Sequence, residues 1–282
     1  MRSVEQVTDV VTDHGEGPVW SDAWGGLRFV DMLAGGVLTL RADGAVDRIE
    51  VGRVAAFVRP RRQGGYVVAV EHGLGLADDV DGQPTRFVDV GRGPGLRSNE
   101  GAVAPDGSLY LGTTEWEQEP EAAGLYRVTA DLRVEQVLDR VTISNGLGFS
   151  PDGARAYYVD SGAGRMDVFD VADHRLTNRR PLVQRDRSEG DLDGLVVDVE
   201  GTIWVAVYGA GRVLRYSPEG ELLEEIDVPV PHVTACTLGG PDLTDLFLTT
   251  SRRDLPAGLP GAGAVFRVEV DVPGLPVGEF AG

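Results

Sequence analysis

The chain is poor in three residue types that build many functional sites. Its 282 residues include no lysine, which excludes the glycine-rich phosphate loop that depends on Lys. The single cysteine, Cys236, excludes an intramolecular disulfide and any zinc site made of several cysteines, and its apolar neighbours predict a buried thiol. The four histidines share no metal-ligand spacing, so the sequence predicts surface or packing roles for His14, His72, His174 and His232.

Long apolar stretches are also missing. No run approaches the roughly 20 residues that span a bilayer, and no apolar signal region follows the first residues, so we expect a cytoplasmic protein without a membrane partner. The net charge of −19 repels phosphate backbones and argues against a nucleic-acid partner. The surplus of carboxylates favours the binding of cations. For most of the 45 acidic residues, however, keeping the protein in solution is a sufficient explanation.

A repeat of short β-rich runs fills the chain, and no helical stripe is sustained. Six runs start 38 to 47 residues apart, and several follow Gly-Gly, Asp-Gly or Glu-Gly turns typical of hairpins. They are residues 27–31, 65–70, 108–112, 155–160, 202–207 and 245–250. This period, with four strands per repeat, predicts an all-β fold, a six-bladed β-propeller in one domain spanning residues 1–282. We expect residues 4–11 to complete the last blade and close the ring.

Three repeats place a polar residue at the same distance before a turn. Asn99, Asn145 and Asp193 each stand eight residues before the glycine of an Asp-Gly or Glu-Gly turn. Equal offsets put these side chains at equivalent heights in three blades, near the central channel, and Glu16 between two glycines adds a fourth oxygen donor. Such donors favour Ca²⁺ or Mg²⁺ and tolerate Mn²⁺ or Zn²⁺. The alternative is that the Asn-Gly and Asp-Gly pairs merely cap strand entrances.

Several short motifs occur in a fixed order over nearly the whole chain. They are Gly15-Glu-Gly-Pro-Val-Trp20, Arg97-x-Asn99-x-Gly101, Ile143-Ser-Asn-Gly146, Ser150-Pro-Asp-Gly153, Asp193-Gly-Leu and Trp204-Val-Ala206. Together they resemble the regucalcin (senescence marker protein)/gluconolactonase family. The resemblance implies a six-bladed propeller that holds one divalent metal ion and hydrolyses sugar lactones to aldonic acids.

The resemblance also implies roles for single residues. Glu16, Asn145 and Asp193 fall on the metal-ligand positions of the family, and Arg97, Asn99 and Glu117 fall on its substrate-contact positions. We assign Asp193 as the general base, because a carboxylate that touches both metal and water is in reach of the proton. The implied cofactor is one divalent ion (Ca²⁺, Zn²⁺, Mn²⁺ or Mg²⁺), and the implied partner is a small sugar lactone, bound by a monomer or weak homo-oligomer.

Two positions depart from the family pattern. Glu100 stands where the family usually has Asp, and Leu192 stands where it usually has Pro. Because successive strand residues point to opposite faces, we expect Glu100 to turn away from Asn99. We therefore predict that Glu100 orients Arg97 through a charge-assisted hydrogen bond.

Two other classes of function stay open. One is a calcium-binding or regulatory propeller without turnover, which would not need the substrate contacts Arg97, Asn99 and Glu117. The other is a metal-dependent esterase acting on other lactones or on organophosphates, for which a hydrophobic pocket is expected. Trp116, in a polar loop, is the tryptophan best placed to meet a ligand.

Overall fold

The computed structural model describes residues 2–91 and 93–282 and shows a six-bladed β-propeller. Its strands form six four-stranded sheets in these residues, and neighbouring strands within each sheet are antiparallel. The first strand of every sheet packs against the first strands of two neighbouring sheets, which closes a ring around a central channel. The six β-rich runs of the sequence are the second strands of the six blades, so the predicted repeat is confirmed.

The strands of the six blades follow the same order from the channel outward. The inner strands are β2 (Gly15–Ser21), β6 (Ala55–Pro60), β10 (Leu96–Val103), β14 (Ser144–Phe149), β18 (Asp191–Val197) and β22 (Val233–Gly239). The second strands are β3 (Gly26–Asp31), β7 (Tyr66–Val70), β11 (Leu109–Glu115), β15 (Arg155–Asp160), β19 (Ile203–Tyr208) and β23 (Asp245–Thr250). The third strands are β4 (Gly36–Leu40), β8 (Gly73–Ala77), β12 (Ala123–Val128), β16 (Arg165–Ala172), β20 (Arg212–Tyr216) and β24 (Phe266–Glu269). The outer strands are β5 (Val46–Glu50), β9 (Arg86–Asp89), β13 (Val134–Val141), β17 (Arg175–Gln184), β21 (Leu222–Asp227) and β1 (Val4–Gln6).

Helical structure is confined to four single 3-10 turns in the described residues. They are Asp22–Trp24, Met32–Ala34, Ser161–Ala163 and Arg187–Glu189. None of the helices in residues 2–91 and 93–282 is long and apolar enough to cross a membrane. The apolar core instead lies between neighbouring sheets, where strands such as β7 and β19 are almost wholly buried.

The Asp-Gly turns connect inner strands to second strands. Gly107 and Gly153 have φ of 86° and 68°, the left-handed region that glycine adopts without strain. In both turns the preceding aspartate accepts a hydrogen bond from the backbone N–H two residues further on, at 2.9 Å for Asp106 and 3.0 Å for Asp152. These local bonds fix where each second strand begins.

Strands from the two ends of the described chain build the last blade. β1 pairs with β24 in antiparallel register, with Val4 opposite Val268, so the predicted closure is confirmed. Residues after β24 then cross the face where the inner strands end. Gly274 forms a bridge with Asp198, and Phe280, which is fully buried, forms one with Arg61. This C-terminal segment covers one end of the channel, where a cavity of about 350 Å³ lies.

Candidate metal centre and substrate pocket

Every inner strand breaks its register with the second strand near its start. In β10, Ser98 lies opposite Thr113 and Gly101 opposite Leu111, so Asn99 and Glu100 face a single partner residue. Equivalent bulges lie in β14 between Ser144 and Leu147, and in β18 between Leu192 and Leu195. A bulge re-aims the side chains at that point of a strand.

The bulges bring the predicted donors to equivalent places around the channel. Asn99, Asn145 and Asp193 lie within the bulges of three blades, and Glu16 is the last paired residue before the bulge of β2. All four side chains are buried. We call these four residues the polar cup. It lies near the starts of the inner strands, at the other end of the channel from the C-terminal segment.

Glycines after the donors let adjacent blades approach closely. A Cβ at Gly146 would lie 2.7 Å from the backbone oxygen of Asp193, and one at Gly194 would lie 2.4 Å from the Cβ of Ala235. Both separations are too short for a side chain. The Asn-Gly and Asp-Gly pairs therefore serve the packing of inner strands, which holds Asn145 beside Asp193.

Hydrogen bonding fixes the direction of the Asn145 amide. The Ser161 hydroxyl donates to the backbone oxygen of Leu192 at 2.6 Å, so it must accept from Asn145 Nδ2, which lies 3.0 Å away. Asn145 Oδ1 is thereby left buried without a hydrogen-bond partner in the described residues, and Asp193 Oδ1 is in the same condition. Burying an oxygen atom without a hydrogen-bond partner destabilises the folded protein unless a cation or a hydrogen-bond donor binds that oxygen.

The two buried carboxylates of the polar cup favour binding of a cation. Burial raises the pKa of the Asp193 carboxyl well above its usual range, and the negative charge of Glu100 adds to the effect. Burial also raises the pKa of Glu16, helped by repulsion from Asp193. No group of three His, Cys, Asp or Glu side chains suited to a metal occurs within the described ranges. The third donor here is the Asn145 amide, and two carboxylates with an amide oxygen fit a hard divalent ion.

The Asn99 amide, unlike that of Asn145, has hydrogen-bond partners for both its oxygen and its nitrogen. Its Oδ1 accepts a hydrogen bond from Arg97 Nη1 at 2.7 Å, and its Nδ2 donates to the backbone oxygen of Ser144 at 2.9 Å. The Asn99 oxygen therefore already has a hydrogen-bond partner, unlike that of Asn145, and its expected place in a ring of four oxygen ligands stays a prediction. This geometry agrees with the substrate-side role that the family resemblance implies.

Arg97 lies beside the cup without a carboxylate partner among the described residues. Its side chain is bonded through Nη1, to Asn99 and to the backbone oxygen of Ser98, and its buried Nε has no hydrogen-bond partner. The guanidinium carbon lies 5.2 Å from the centre of the Trp116 ring, so that tryptophan does line this region. Burial lowers the pKa of Arg97 to about 10, and the group stays cationic at neutral pH.

Glu117 is separate from the buried group. It is exposed in the turn after β11, and its backbone N–H donates to Glu115 Oε2 at 2.6 Å. No contact joins its carboxylate to the cup in the part of the chain that the structure describes. Its substrate contact therefore stays a prediction.

The predicted contact between Glu100 and Arg97 is wrong. Glu100 Oε1 accepts from Arg59 Nη2 at 3.4 Å and from the backbone N–H of Gly101 at 2.9 Å. Glu100 is buried and Arg59 is mostly shielded from solvent, with 7% and 13% of their side chains exposed. Alternation of faces assumes a regular strand, and Glu100 lies in the bulge of β10, where that rule fails.

Sequence reasoning also missed a polar chain at the rim of the cup. His14 Nδ1 lies 2.8 Å from Ser251 Oγ, and His14 Nε2 lies 4.0 Å from Glu16 Oε1. Burial lowers the pKa of His14 to about 3, so this ring is neutral rather than a surface cation. The backbone N–H of Arg253 also donates to Ser251 Oγ at 3.1 Å. His14 and Ser251 are 237 residues apart, and no local pattern could have paired them.

The fold and the buried donors define a β-propeller with a polar site on its central axis. A family model described as the SMP-30/gluconolactonase/LRE-like region matches residues 14–252, and the chain belongs to this family. The predicted resemblance is confirmed.

Individual relatives match over almost the full chain. The regucalcin of Danio rerio is 34% identical over 292 residues, which cover 99% of this chain and 98% of the relative. The 6-deoxy-6-sulfogluconolactonase of Pseudomonas putida is 34% identical over 276 residues, or 95% of each chain. The solved structure of a regucalcin from Agrobacterium tumefaciens, described as a calcium-binding protein, has a TM-score of 0.93 at 26% identity and covers 99% of this chain and 97% of that one.

Proposed function

We propose that this protein is a divalent-metal-dependent hydrolase that opens sugar lactones to aldonic acids. The observation that carries the proposal is the pair of buried oxygens on Asn145 and Asp193 that have no hydrogen-bond partner in the described residues. They lie next to Arg97, which has no carboxylate partner among those residues. The names of the relatives support both the lactonase activity and the metal dependence. One relative is a sugar lactonase, and a structural neighbour is described as binding calcium.

Glu16, Asn145 and Asp193 are the residues that would hold the ion, which is Ca²⁺, Zn²⁺, Mn²⁺ or Mg²⁺. The chemistry that such an ion supplies when bound is polarisation of the lactone carbonyl and stabilisation of charge on its oxygen, worth several kcal/mol. The hydrogen bond from Asn145 Nδ2 to Ser161 Oγ leaves the Asn145 oxygen available to the ion. Glycines beside the ligands keep the three blades in place.

Asp193 is the proposed general base. Its carboxylate takes a proton from the attacking water, a new bond forms between that water's oxygen and the carbonyl carbon, and the bond from this carbon to the ring oxygen breaks. The proton then passes to the ring oxygen, which leaves as the hydroxyl of the aldonic acid. Arg97, Asn99 and Glu117 would orient the sugar and thereby lower the entropic cost of reaching the reactive geometry.

A panel of lactones against metal-stripped protein with added divalent ions tests this function. We expect hydrolysis of a polyhydroxylated lactone such as glucono-1,5-lactone above its spontaneous rate, with activity lost on chelation and restored by at least one of the four ions. Tight metal binding without turnover of any lactone would instead identify a calcium-binding propeller. Preference for aryl esters or organophosphates would identify an esterase.

The two asparagines of the cup should respond differently to substitution. Metal at 100 times its Kd stabilises the folded state by about 2.7 kcal/mol. We expect Asn145→Leu to lose most of the resulting rise in Tm, because the freed amide oxygen is gone. Asn99→Leu should keep that rise, since its oxygen is bonded to Arg97. Differential scanning fluorimetry with and without metal compares them, and an undiminished rise in Asn145→Leu would contradict the ligand assignment.

Glu117 offers a test of the substrate side alone. We expect Glu117→Ala to raise KM for glucono-1,5-lactone while leaving δ-valerolactone, which has no hydroxyls, unchanged. Glu119→Ala, at another exposed position of the same loop, is the matched control. Equal losses on both lactones would remove Glu117 from the substrate contacts.

A further inference from the structure

The rim of the polar cup has two sides with different side chains. The inner strands pack in chain order around the channel, so the blade of β22 lies across the channel from the blade of β10. Arg97 and Asn99, the predicted substrate contacts, lie on β10. On the opposite side, His232 comes directly before β22, and Ser251 comes directly after β23 of the same blade.

Four side chains on that opposite side lie against one another. His14 Nδ1 lies 2.8 Å from Ser251 Oγ, and the two residues also form a backbone bridge. Tyr208, the last residue of β19, forms another bridge with His232. The rings of Tyr208 and His232 stack, with 4.0 Å between their centroids and 18° between their planes. We call His14, Tyr208, His232 and Ser251 the rim chain.

His232 holds the Tyr208 ring in place. His232 Nδ1 lies 3.1 Å from the backbone oxygen of Arg253. A carbonyl oxygen only accepts hydrogen bonds, so Nδ1 carries the proton and donates. The imidazole is therefore tied to the backbone at its edge while its face stacks on Tyr208. Such stacking fixes the apolar body of a tyrosine and leaves the hydroxyl as its polar end.

The Tyr208 hydroxyl lies between the rim chain and the cup. In the sheet, Tyr208 pairs with Asp191, two residues before Asp193. Burial raises the pKa of Tyr208 to about 12, the negative charge of Asp193 adds to this rise, and hydrogen bonding with Ser251 opposes it. Asp193 and Ser251 are thus both neighbours of the hydroxyl. At neutral pH the hydroxyl keeps its proton and can serve as a hydrogen-bond donor.

The two sides of the rim set the orientation of a bound lactone. The carbonyl carbon of a sugar lactone has two neighbours in the ring, a carbon that bears a hydroxyl and the ring oxygen. In the proposed function, the cup receives the carbonyl, and Arg97 and Asn99 bind sugar hydroxyls. If the hydroxyls face the blade of β10, the ring oxygen faces the opposite side, where the rim chain lies.

We propose that Tyr208 is a further catalytic residue, whose hydroxyl donates a hydrogen bond to the ring oxygen of the lactone as that oxygen leaves. This role rests on the proposed lactonase function. When the bond from the carbonyl carbon to the ring oxygen breaks, its electron pair stays on the ring oxygen, which receives the proton that Asp193 took from water. Tyr208 keeps its own proton and stabilises the negative charge that develops on the ring oxygen before that transfer.

Two lactones without sugar hydroxyls test the proposal on metal-loaded protein. δ-Valerolactone releases an alkoxide, a poor leaving group, whereas dihydrocoumarin releases a phenolate, which leaves readily without a hydrogen bond. We expect Tyr208→Phe to lower kcat/KM for δ-valerolactone by roughly 10- to 100-fold and kcat/KM for dihydrocoumarin much less. On glucono-1,5-lactone the loss should appear in kcat with KM unchanged, because the hydrogen bond strengthens only as charge develops.

The substitution and its control isolate the hydroxyl. Phenylalanine keeps the ring that stacks on His232. The ratio of kcat/KM for the two lactones in one preparation also does not depend on the fraction of protein that is folded. Tyr216→Phe is the matched control, because Tyr216 lies in the same blade and pairs with Ile203 at the other end of β19. This control should leave the ratio unchanged.

The outcomes separate this inference from the function beneath it. Unchanged rates in Tyr208→Phe, or equal losses on δ-valerolactone and dihydrocoumarin, would overturn the role of Tyr208 and leave the lactonase intact. A higher KM for glucono-1,5-lactone with kcat unchanged would also overturn it, since Tyr208 would then bind a sugar hydroxyl. If dihydrocoumarin is not a substrate, this division between kcat and KM decides. Failure of the wild-type protein to hydrolyse any lactone would overturn the proposed function and this inference with it.

Discussion

Asp193→Ala should abolish both lactone hydrolysis and divalent-metal binding. The side chain supplies a charged oxygen donor to the cup, and the same carboxylate is the proposed base. Its Oδ1 is buried without a hydrogen-bond partner in the described chain. Isothermal titration calorimetry with each ion and the glucono-1,5-lactone assay measure the two losses.

Asp193→Asn separates the two roles. The amide keeps one oxygen for the metal, so binding should be weakened but measurable, whereas loss of the base should lower kcat by roughly 10²–10⁴-fold. Asp191→Asn on the same strand is the control, because that carboxylate is partly exposed and paired with Arg187 at 2.6 Å. Full turnover in Asp193→Asn with normal metal binding would show that the base lies elsewhere.

Arg59→Met should cause the largest loss of stability near the site. It leaves the Glu100 carboxylate buried without its cation, and breaking a buried ion pair in this way costs about 3–5 kcal/mol. Urea denaturation of the metal-stripped protein measures the change in the free energy of unfolding. The double variant Arg59→Met/Glu100→Gln should recover most of the loss, because the remaining amide is uncharged.

A neighbouring arginine provides the control for that experiment. Arg62 lines the same cavity but is exposed, so Arg62→Met should change the free energy of unfolding little. A loss below about 1 kcal/mol in Arg59→Met would mean that the pair behaves as a surface contact.

The sequence predicts the fold well because its evidence is local and repeated. Turn glycines and alternating strands recur in every blade, and the ring follows once six repeats are counted. The common offset of Asn99, Asn145 and Asp193 also survives in the structure, since all three lie in corresponding bulges. Periodicity could therefore place these side chains around one axis.

Periodicity could not assign the bonds that the side chains make. Asn99 and Asn145 have the same offset and opposite hydrogen bonding, because Arg97 takes the oxygen of one and Ser161 takes the nitrogen of the other. The predicted contact of Glu100 with Arg97 is wrong because a bulge in β10 breaks the alternation of faces. Its real partner, Arg59, comes from another blade, 41 residues away.

The C-terminal segment has a practical consequence for handling the protein. Gly282 is buried, and its carbonyl accepts a hydrogen bond from Arg61 Nε at 3.0 Å. Any segment that follows Gly282 would start from this packed position. A tag placed before Val4 would leave from a half-buried outer strand. Immobilisation through the amino-terminal side also leaves the packing of the C-terminal segment undisturbed.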